Sequence, residues 1–214
     1  MHENGIEPNV FIFNTLIDGH GRKGRCKDPL KLRDEMMSKG VEPNSVTFTA
    51  LAKGLCKAGE MEQAEHLLDE IVNCNLEPNH VVYNSLIGGY CKIGLMDKAL
   101  NMLEEMRFNG ITPNKITYTV LMHGYCKEGR FKEASQLLDE MINLGFSPDS
   151  VSYNTLISGF CKAGRMEDTF KMNSEMSLRG LVLDEVTYTS LIDGISAHDH
   201  QKDAKFFVVS ELNS

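Results

Sequence analysis

Residues 80–114 read HVVYNSLIGGYCKIGLMDKALNMLEEMRFNGITPN, and two helical periods are written in them. Tyr83, Leu86, Ile87, Tyr90 and Cys91 fall at i, i+3, i+4, i+7 and i+8, an amphipathic stripe along a first helix, A, that ends near Lys92. Gly94 marks a turn. Ala99, Leu100, Met102, Leu103 and Met106 supply the apolar face of a second helix, B, whose exposed side carries Glu104 and Glu105. Gly110 stops helix B in the left-handed conformation of a C-terminal cap, Ile111 fits the apolar contact that accompanies such caps, and Pro113 blocks further helix.

The same pattern extends in both directions from this stretch. Pro-Asn or Pro-Asp recurs at Asn9, Asn44, Asn79, Asn114 and Asp149, and Asp184 continues the series after Leu183, always 35 residues apart. The caps keep step: Gly40, Gly110, Gly145 and Gly180 share one place, and Asn75 substitutes there as the next best left-handed residue. The chain therefore divides into a tail of a preceding repeat (1–9), repeats at 10–44, 45–79, 80–114, 115–149 and 150–184, and an incomplete degenerate repeat (185–214). A two-helix hairpin of this length cannot bury its apolar faces alone, so hairpins must stack. The expected fold is all-α, one continuous α-α superhelical solenoid over 1–214, with function on the wall that one helix of each pair lines.

Composition agrees with an ordered chain, at 42% apolar and 24% charged residues. No apolar run approaches a membrane span, and the opening MHENGIEPN lacks the basic character of a signal or transit peptide. The expectation is no membrane partner and no transit peptide in this chain.

Within each repeat, positions 2, 5, 9 and 13 of helix A share one face, in a wedge of roughly 80° at 100° per residue. Position 2 is apolar throughout (Phe11, Val46, Val81, Ile116, Val151, Val186), and position 13 is a cation in every full repeat (Arg22, Lys57, Lys92, Lys127, Lys162). Position 5 alternates strictly between two residue types: Asn14, Thr49, Asn84, Thr119, Asn154, Thr189. One apolar wedge, one small hydrogen-bonding group and one cation per repeat offer a surface to a base plane, a partner to its edge and a charge to its phosphate. Asn or Asp at position 35 directly precedes helix A, where either also serves as an N-cap whatever the protein binds.

VVYNSLIGGYCKIGLMDKALNMLEEM, ITYTVLMHGYCKEGRFKEASQLLDEM and VSYNTLISGFCKAGRMEDTFKM resemble the pentatricopeptide repeat family, specifically its P class of uniform 35-residue units, and the likeness covers essentially the whole chain. The resemblance implies a modular reader of single-stranded RNA in which positions 5 and 35 of each repeat together contact one base. Ionised Asp only accepts hydrogen bonds and suits the ring N–H of G and U, whereas Asn can donate to the ring nitrogens of A and C. In the family, Thr at position 5 goes with purines and Asn with pyrimidines. Asn14 with Asn44 then suggests C or U, Thr49 with Asn79 A, and Asn84 with Asn114 C or U. Thr119 with Asp149 suggests G and Asn154 with Asp184 U, giving 5′-(C/U)A(C/U)GU-3′; Thr189 would add a purine, but its position 35 partner lies beyond Ser214. Position 2 implies base stacking, and position 13 phosphate binding. The resemblance further implies a monomer in a mitochondrion, or alternatively a chloroplast, that acts in RNA processing, stabilisation, splicing or translation beside other proteins of an RNA-processing complex. The uniform units look like those of fertility restorers.

Other features carry less. Cys56, Cys91, Cys126 and Cys161 all occupy position 12 on separate A helices, which makes them small core residues and not disulfide or zinc ligands. Twelve Met residues, recurrent at positions 17 and 27, fill gaps between helices. His198, Asp199 and His200 lack a third partner for a metal. No catalytic constellation, metal site or cofactor is expected. The net charge of −8 is unusual for an RNA binder, but acids gather on helix B as Asp69-Glu70, Glu104-Glu105 and Asp139-Glu140, away from the shared A face. The alternative function is a protein-binding helical-repeat scaffold without RNA recognition.

Overall fold

The computed structural model describes residues 8–23 and 27–197, with Lys27 and Ala197 described by backbone only. The tail residues 1–7, the His198-Asp199-His200 cluster and the end of the incomplete repeat lie outside the described residues. Eleven helices account for the described chain: α1 (Val10–Arg22), α2 (Lys27–Ser38), α3 (Ser45–Ala58), α4 (Met61–Asn73), α5 (His80–Ile93), α6 (Met96–Phe108), α7 (Lys115–Lys127), α8 (Phe131–Asn143), α9 (Ser150–Lys162), α10 (Met166–Leu178) and α11 (Glu185–Ala197). No strand occurs among the described residues.

The chain forms two compact units, residues 1–114 and residues 115–214. In the first, α1 packs on α3 and α3 on α5, while α2, α4 and α6 each lie against the A helix of their own hairpin. In the second, α7 packs on α9 and α9 on α11, with α8 and α10 in the B places. Each unit is thus a stack of helical hairpins, A helix on A helix, as in an α-α solenoid.

The punctuation inferred from the sequence is made in the backbone. Gly40, Gly110, Gly145 and Gly180 all have φ near +70 to +83°, and Asn75, at φ 54°, is the one non-glycine with positive φ among the described residues. The apolar residue after each cap donates its N–H back five residues: Val41 to Met36, Leu76 to Ile71, Ile111 to Met106, Phe146 to Met141 and Leu181 to Met176, at 3.0–3.1 Å. This is the Schellman closure, which satisfies carbonyls the helix end would otherwise strand. Pro29, in the first turn of α2, is buried there without breaking the helix.

The core lies between A and B helices. Tyr83, Tyr118, Leu86, Leu121, Leu156 and Tyr153 are almost fully buried, as are the B-helix methionines Met36, Met106, Met141 and Met176. Cys56, Cys91 and Cys161 are buried and Cys126 half-buried, all free thiols. Burial pushes Cys56 up to about 12 and Cys126 up to about 11. The second acid of each helix B pair is half-buried, so the expectation that Glu105 lies on the exposed side needs correction. Glu105 accepts the Tyr83 hydroxyl (3.2 Å), Glu140 accepts that of Tyr118 (3.1 Å), and Glu70 pairs with Arg33. A tyrosine buried at position 4 brings its hydroxyl out at helix B, where a charged acceptor makes the stronger hydrogen bond.

Candidate nucleic-acid interface

The A helices begin at Val10, Ser45, His80, Lys115, Ser150 and Glu185, and before five of them the preceding side chain holds the helix N-terminus. Asn9 accepts from Ile12 N–H, Asn44 from Val46 and Thr47, Asn79 from Val81 and Val82, Asp149 from Ser152, and Asp184 from Thr187. The capping reading of position 35 is therefore realised. It occupies one side-chain oxygen only, so the other arm stays available: an amide N–H₂ in Asn, a second carboxylate oxygen in Asp.

Position 5 meets the capping residue through either its oxygen or its amide nitrogen. Asn14 Nδ2 donates to Asn44 Oδ1 (3.2 Å), Asn79 Nδ2 donates to Thr49 Oγ1 (3.4 Å), and Asn84 Nδ2 donates to Asn114 Oδ1 (3.3 Å). In the second unit, Thr119 Oγ1 lies 3.1 Å from Ser152 Oγ, which itself donates to Asp149 Oδ1 (3.2 Å). Asn154 donates to the Asp184 carboxylate, and Thr187 donates to it through both backbone and hydroxyl, which together hold Asp184 below the ordinary aspartate range. Residues 30 apart in sequence are thus joined at the seams between A helices, directly in four pairs and through Ser152 for Thr119 and Asp149. The position 5 side chains are half-buried there, Asn154 is buried at 6% exposure, and Thr189 is exposed.

Position 2 flanks these pairs and is exposed in every repeat, from 40% for Val81 to 74% for Phe11, with Val46, Ile116, Val151 and Val186 between. The position 13 cations Arg22, Lys57, Lys92, Lys127 and Lys162 are also exposed. Two of them do more than face water: Lys57 Nζ donates to the Arg22 carbonyl (2.5 Å) and Lys92 Nζ to the Lys57 carbonyl (3.4 Å). Each lysine thereby meets the negative end of the preceding A helix.

In the second unit the elements converge on a cavity of about 670 Å³, lined among others by Val151, Asn154, Asp184, Lys127, Lys162 and His123. Asn154 Oδ1 has no hydrogen-bond partner. In the first unit a smaller cavity of about 270 Å³ has Arg22 and Lys57 in its lining. The described residues contain no group of three or more His, Cys, Asp or Glu placed to hold a metal, and no helix among them is long and apolar enough to cross a membrane.

Two series visible in the sequence escaped the functional reading. Position 10 is glycine throughout (Gly19, Gly54, Gly89, Gly124, Gly159, Gly194). A Cβ on Gly54 would lie 3.0 Å from Gly21 Cα, and one on Gly159 would lie 2.7 Å from Cys126 Cβ, so glycine lets consecutive A helices approach. Position 3 carries a buried hydroxyl at Thr47, Thr117, Ser152 and Thr187. Both signals were present as 35-residue periodicities.

Fold and site together define a class: an all-helical repeat protein whose seams each present one polar pair between an apolar wedge and a cation. Models of the PPR repeat family match residues 8–57, 78–127, 116–162 and 148–197, and a PPR repeat model matches residues 46–76. The chain belongs to the PPR repeat family. Among solved structures it is similar to the pentatricopeptide repeat protein PPR10 from maize, at 28% identity and a TM-score of 0.72 over 92% of this chain and 28% of that one. It is also similar to PPR10 in complex with an 18-nt psaJ RNA element, at 25% identity and a TM-score of 0.66 over 96% of this chain and 35% of that one. The PPR domain of Arabidopsis thaliana protein-only RNase P 1, solved with tRNA, shares the fold at 15% identity and a TM-score of 0.64, over 87% of this chain and 98% of that one. The chain spans about a third or less of the PPR10 chains it matches. No curated protein sequence matches it.

Proposed function

We infer that the chain binds single-stranded RNA, one base per repeat, without catalysing a reaction on it. The observation that carries this is the hydrogen-bonded pairing of positions 5 and 35 at successive seams, each pair beside an exposed apolar residue at position 2 and an exposed cation at position 13. A base laid on the apolar residue presents its edge to the pair, and the cation lies within the same face for the phosphate.

The reading runs Asn14/Asn44 for C or U, Thr49/Asn79 for A, Asn84/Asn114 for C or U, Thr119/Asp149 for G and Asn154/Asp184 for U. The cap geometry supplies its chemical sense: with Oδ1 turned to the helix N-terminus, Asn offers donors outward and Asp an acceptor. The unpartnered Oδ1 of Asn154, a residue that lines the 670 Å³ cavity, supports the fifth pair as the place where a base with a ring N–H is taken. PPR10, with an RNA element in its solved complex, supports the same ligand class. We assign the chain to the P class, restorer-of-fertility-like, and place its action in organellar RNA processing, stabilisation, splicing or translation, in a mitochondrion or alternatively a chloroplast.

The test is equilibrium binding of the 214-residue chain to a short RNA carrying 5′-CACGU-3′ across a salt series. Binding should weaken as salt rises, with a slope smaller by about one after Lys127→Ala. Absence of binding at low salt contradicts the reading.

A further inference from the structure

Four of the six buried polar side chains in the described structure occupy one place, position 3 of an A helix: Thr47, Thr117, Ser152 and Thr187, each at most 2% exposed. Val82 holds the same place without a hydroxyl. A buried hydroxyl is costly unless bonded, so its partners tell what it does.

At the first seam those partners close a ring. Asn44 Oδ1 is fixed as an acceptor by the N–H groups of Val46 and Thr47, each at 3.1 Å. Asn14 must then turn its amide nitrogen toward Asn44, because two facing carbonyl oxygens would repel; Nδ2 indeed donates at 3.2 Å. This leaves Asn14 Oδ1 on the other side, and Thr47 Oγ1, which accepts from Asn44 N–H at 3.1 Å, has it as the nearer of two acceptors, at 2.6 Å against 3.2 Å for Asn44 Oδ1. With both oxygens engaged, the remaining capacity of the pair is N–H: one hydrogen on Asn14 Nδ2 and those on Asn44 Nδ2.

We propose that Thr47 is a positioning residue that locks the Asn14 amide and so makes the first repeat choose cytosine over uracil. The proposal rests on the RNA-reading function above and deepens it. Cytosine offers two adjacent acceptors, N3 and O2, to a donor-only pair, whereas uracil places an N3–H donor between its carbonyls and meets the same pair donor against donor. Without the hydroxyl, the Asn14 amide keeps Nδ2 on Asn44 but its Oδ1 is released and can accept from that N3–H. The fifth seam shows the unlocked arrangement: Thr187 donates to Asp184, and Asn154 Oδ1 is left without a partner.

The test is competition binding of the full chain to two short single-stranded RNAs, CACGU and UACGU, in wild type, Thr47→Val and Thr47→Ser. Wild type should favour the C-initial RNA by about fivefold, the equivalent of one hydrogen bond, and the valine variant should fall to within about twofold. The serine variant, which keeps the hydroxyl, should restore the preference. Valine fits the site, since Val82 is buried at the equivalent place at 1% exposure, and Thr47→Ala should give the same loss. A merely structural role would lower the melting temperature and the affinity for both RNAs alike, leaving their ratio unchanged. An unchanged ratio in the valine and alanine variants, or no C preference in wild type that binds RNA, overturns the lock and leaves RNA binding intact. Failure of wild type to bind either RNA overturns the RNA reading itself.

Discussion

The first and fifth seams are built from the same three positions and present opposite chemistry. At the first, Asn14, Asn44 and Thr47 satisfy one another's oxygens and turn N–H groups outward. At the fifth, Asn154, Asp184 and Thr187 leave a buried amide oxygen unpartnered, and the three residues line a cavity more than twice the volume of the first unit's small one. The backbone beneath differs too. Gly21 stands where the other full repeats have cysteine and meets Gly54 directly, whereas a Cβ on Gly194 would meet the Met166 and Cys161 side chains at 3.3 Å and 3.8 Å. One hydroxyl or one carboxylate oxygen therefore reverses the polarity of a seam without altering its helices.

The largest expected break in this comparison is steric. Gly54→Ala places a methyl group 3.0 Å from the Gly21 backbone, which cannot swing aside, and should destabilise the chain by about 1–3 kcal/mol. Gly194→Ala meets the flexible Met166 thioether and should fall within about 1 kcal/mol of wild type, since alanine also favours the helix. Urea unfolding of the two variants measures the difference.

Exchanging the carboxylate sharpens the comparison next. Asp184→Asn keeps a side chain able to cap α11 but removes the outward acceptor, and should move the fifth base from U toward C by about tenfold in relative affinity. Asn44→Asp should move the first base the opposite way. Melting temperatures should change little in both, because the cap survives.

A smaller effect is confined to the fifth seam. Hydrogen bonds from Thr187 and Asn154 hold the Asp184 carboxyl below the ordinary aspartate value of about 3.9. A carboxyl depressed on folding contributes stability above its unfolded value, and that contribution is lost as pH falls through the lower folded value. Carboxyl carbon shifts should give a midpoint below about 3.9 for Asp184; Asn44 has nothing to titrate. The smallest effect concerns the thiols. Cys74, half-buried and at no seam, should be alkylated first among the described cysteines at pH 8, and Cys56, pushed up to about 12 by burial, should react only on unfolding.

Much of this was legible in the sequence, for reasons that are local. The period of 35, the glycine caps and Asn75 follow from left-handed backbone needs, and the cap residues at position 35 follow from stranded N–H groups at a helix start. The exposed apolar series at position 2 was legible from angular spacing alone. What was not legible depends on a group from another helix. Glu105 and Glu140 looked solvent-facing because the tyrosine hydroxyls that bind them come from another helix, 22 residues away. The lysine of one repeat finds the carbonyl of the repeat before it, 35 residues away, and Thr47 finds Asn14 33 residues away. Position 10 glycine was visible as one repeated letter and the position 3 hydroxyl as a residue type recurring in four of six repeats, but their meaning needed the contacts between A helices.

The most direct test of the account is a specificity inversion at the fourth pair. Wild-type chain should bind CACGU about tenfold more tightly than CACAU, and Asp149→Asn, which keeps a side chain able to cap α9, should reverse that order. Equal affinity of the variant and the wild type for both RNAs would contradict it.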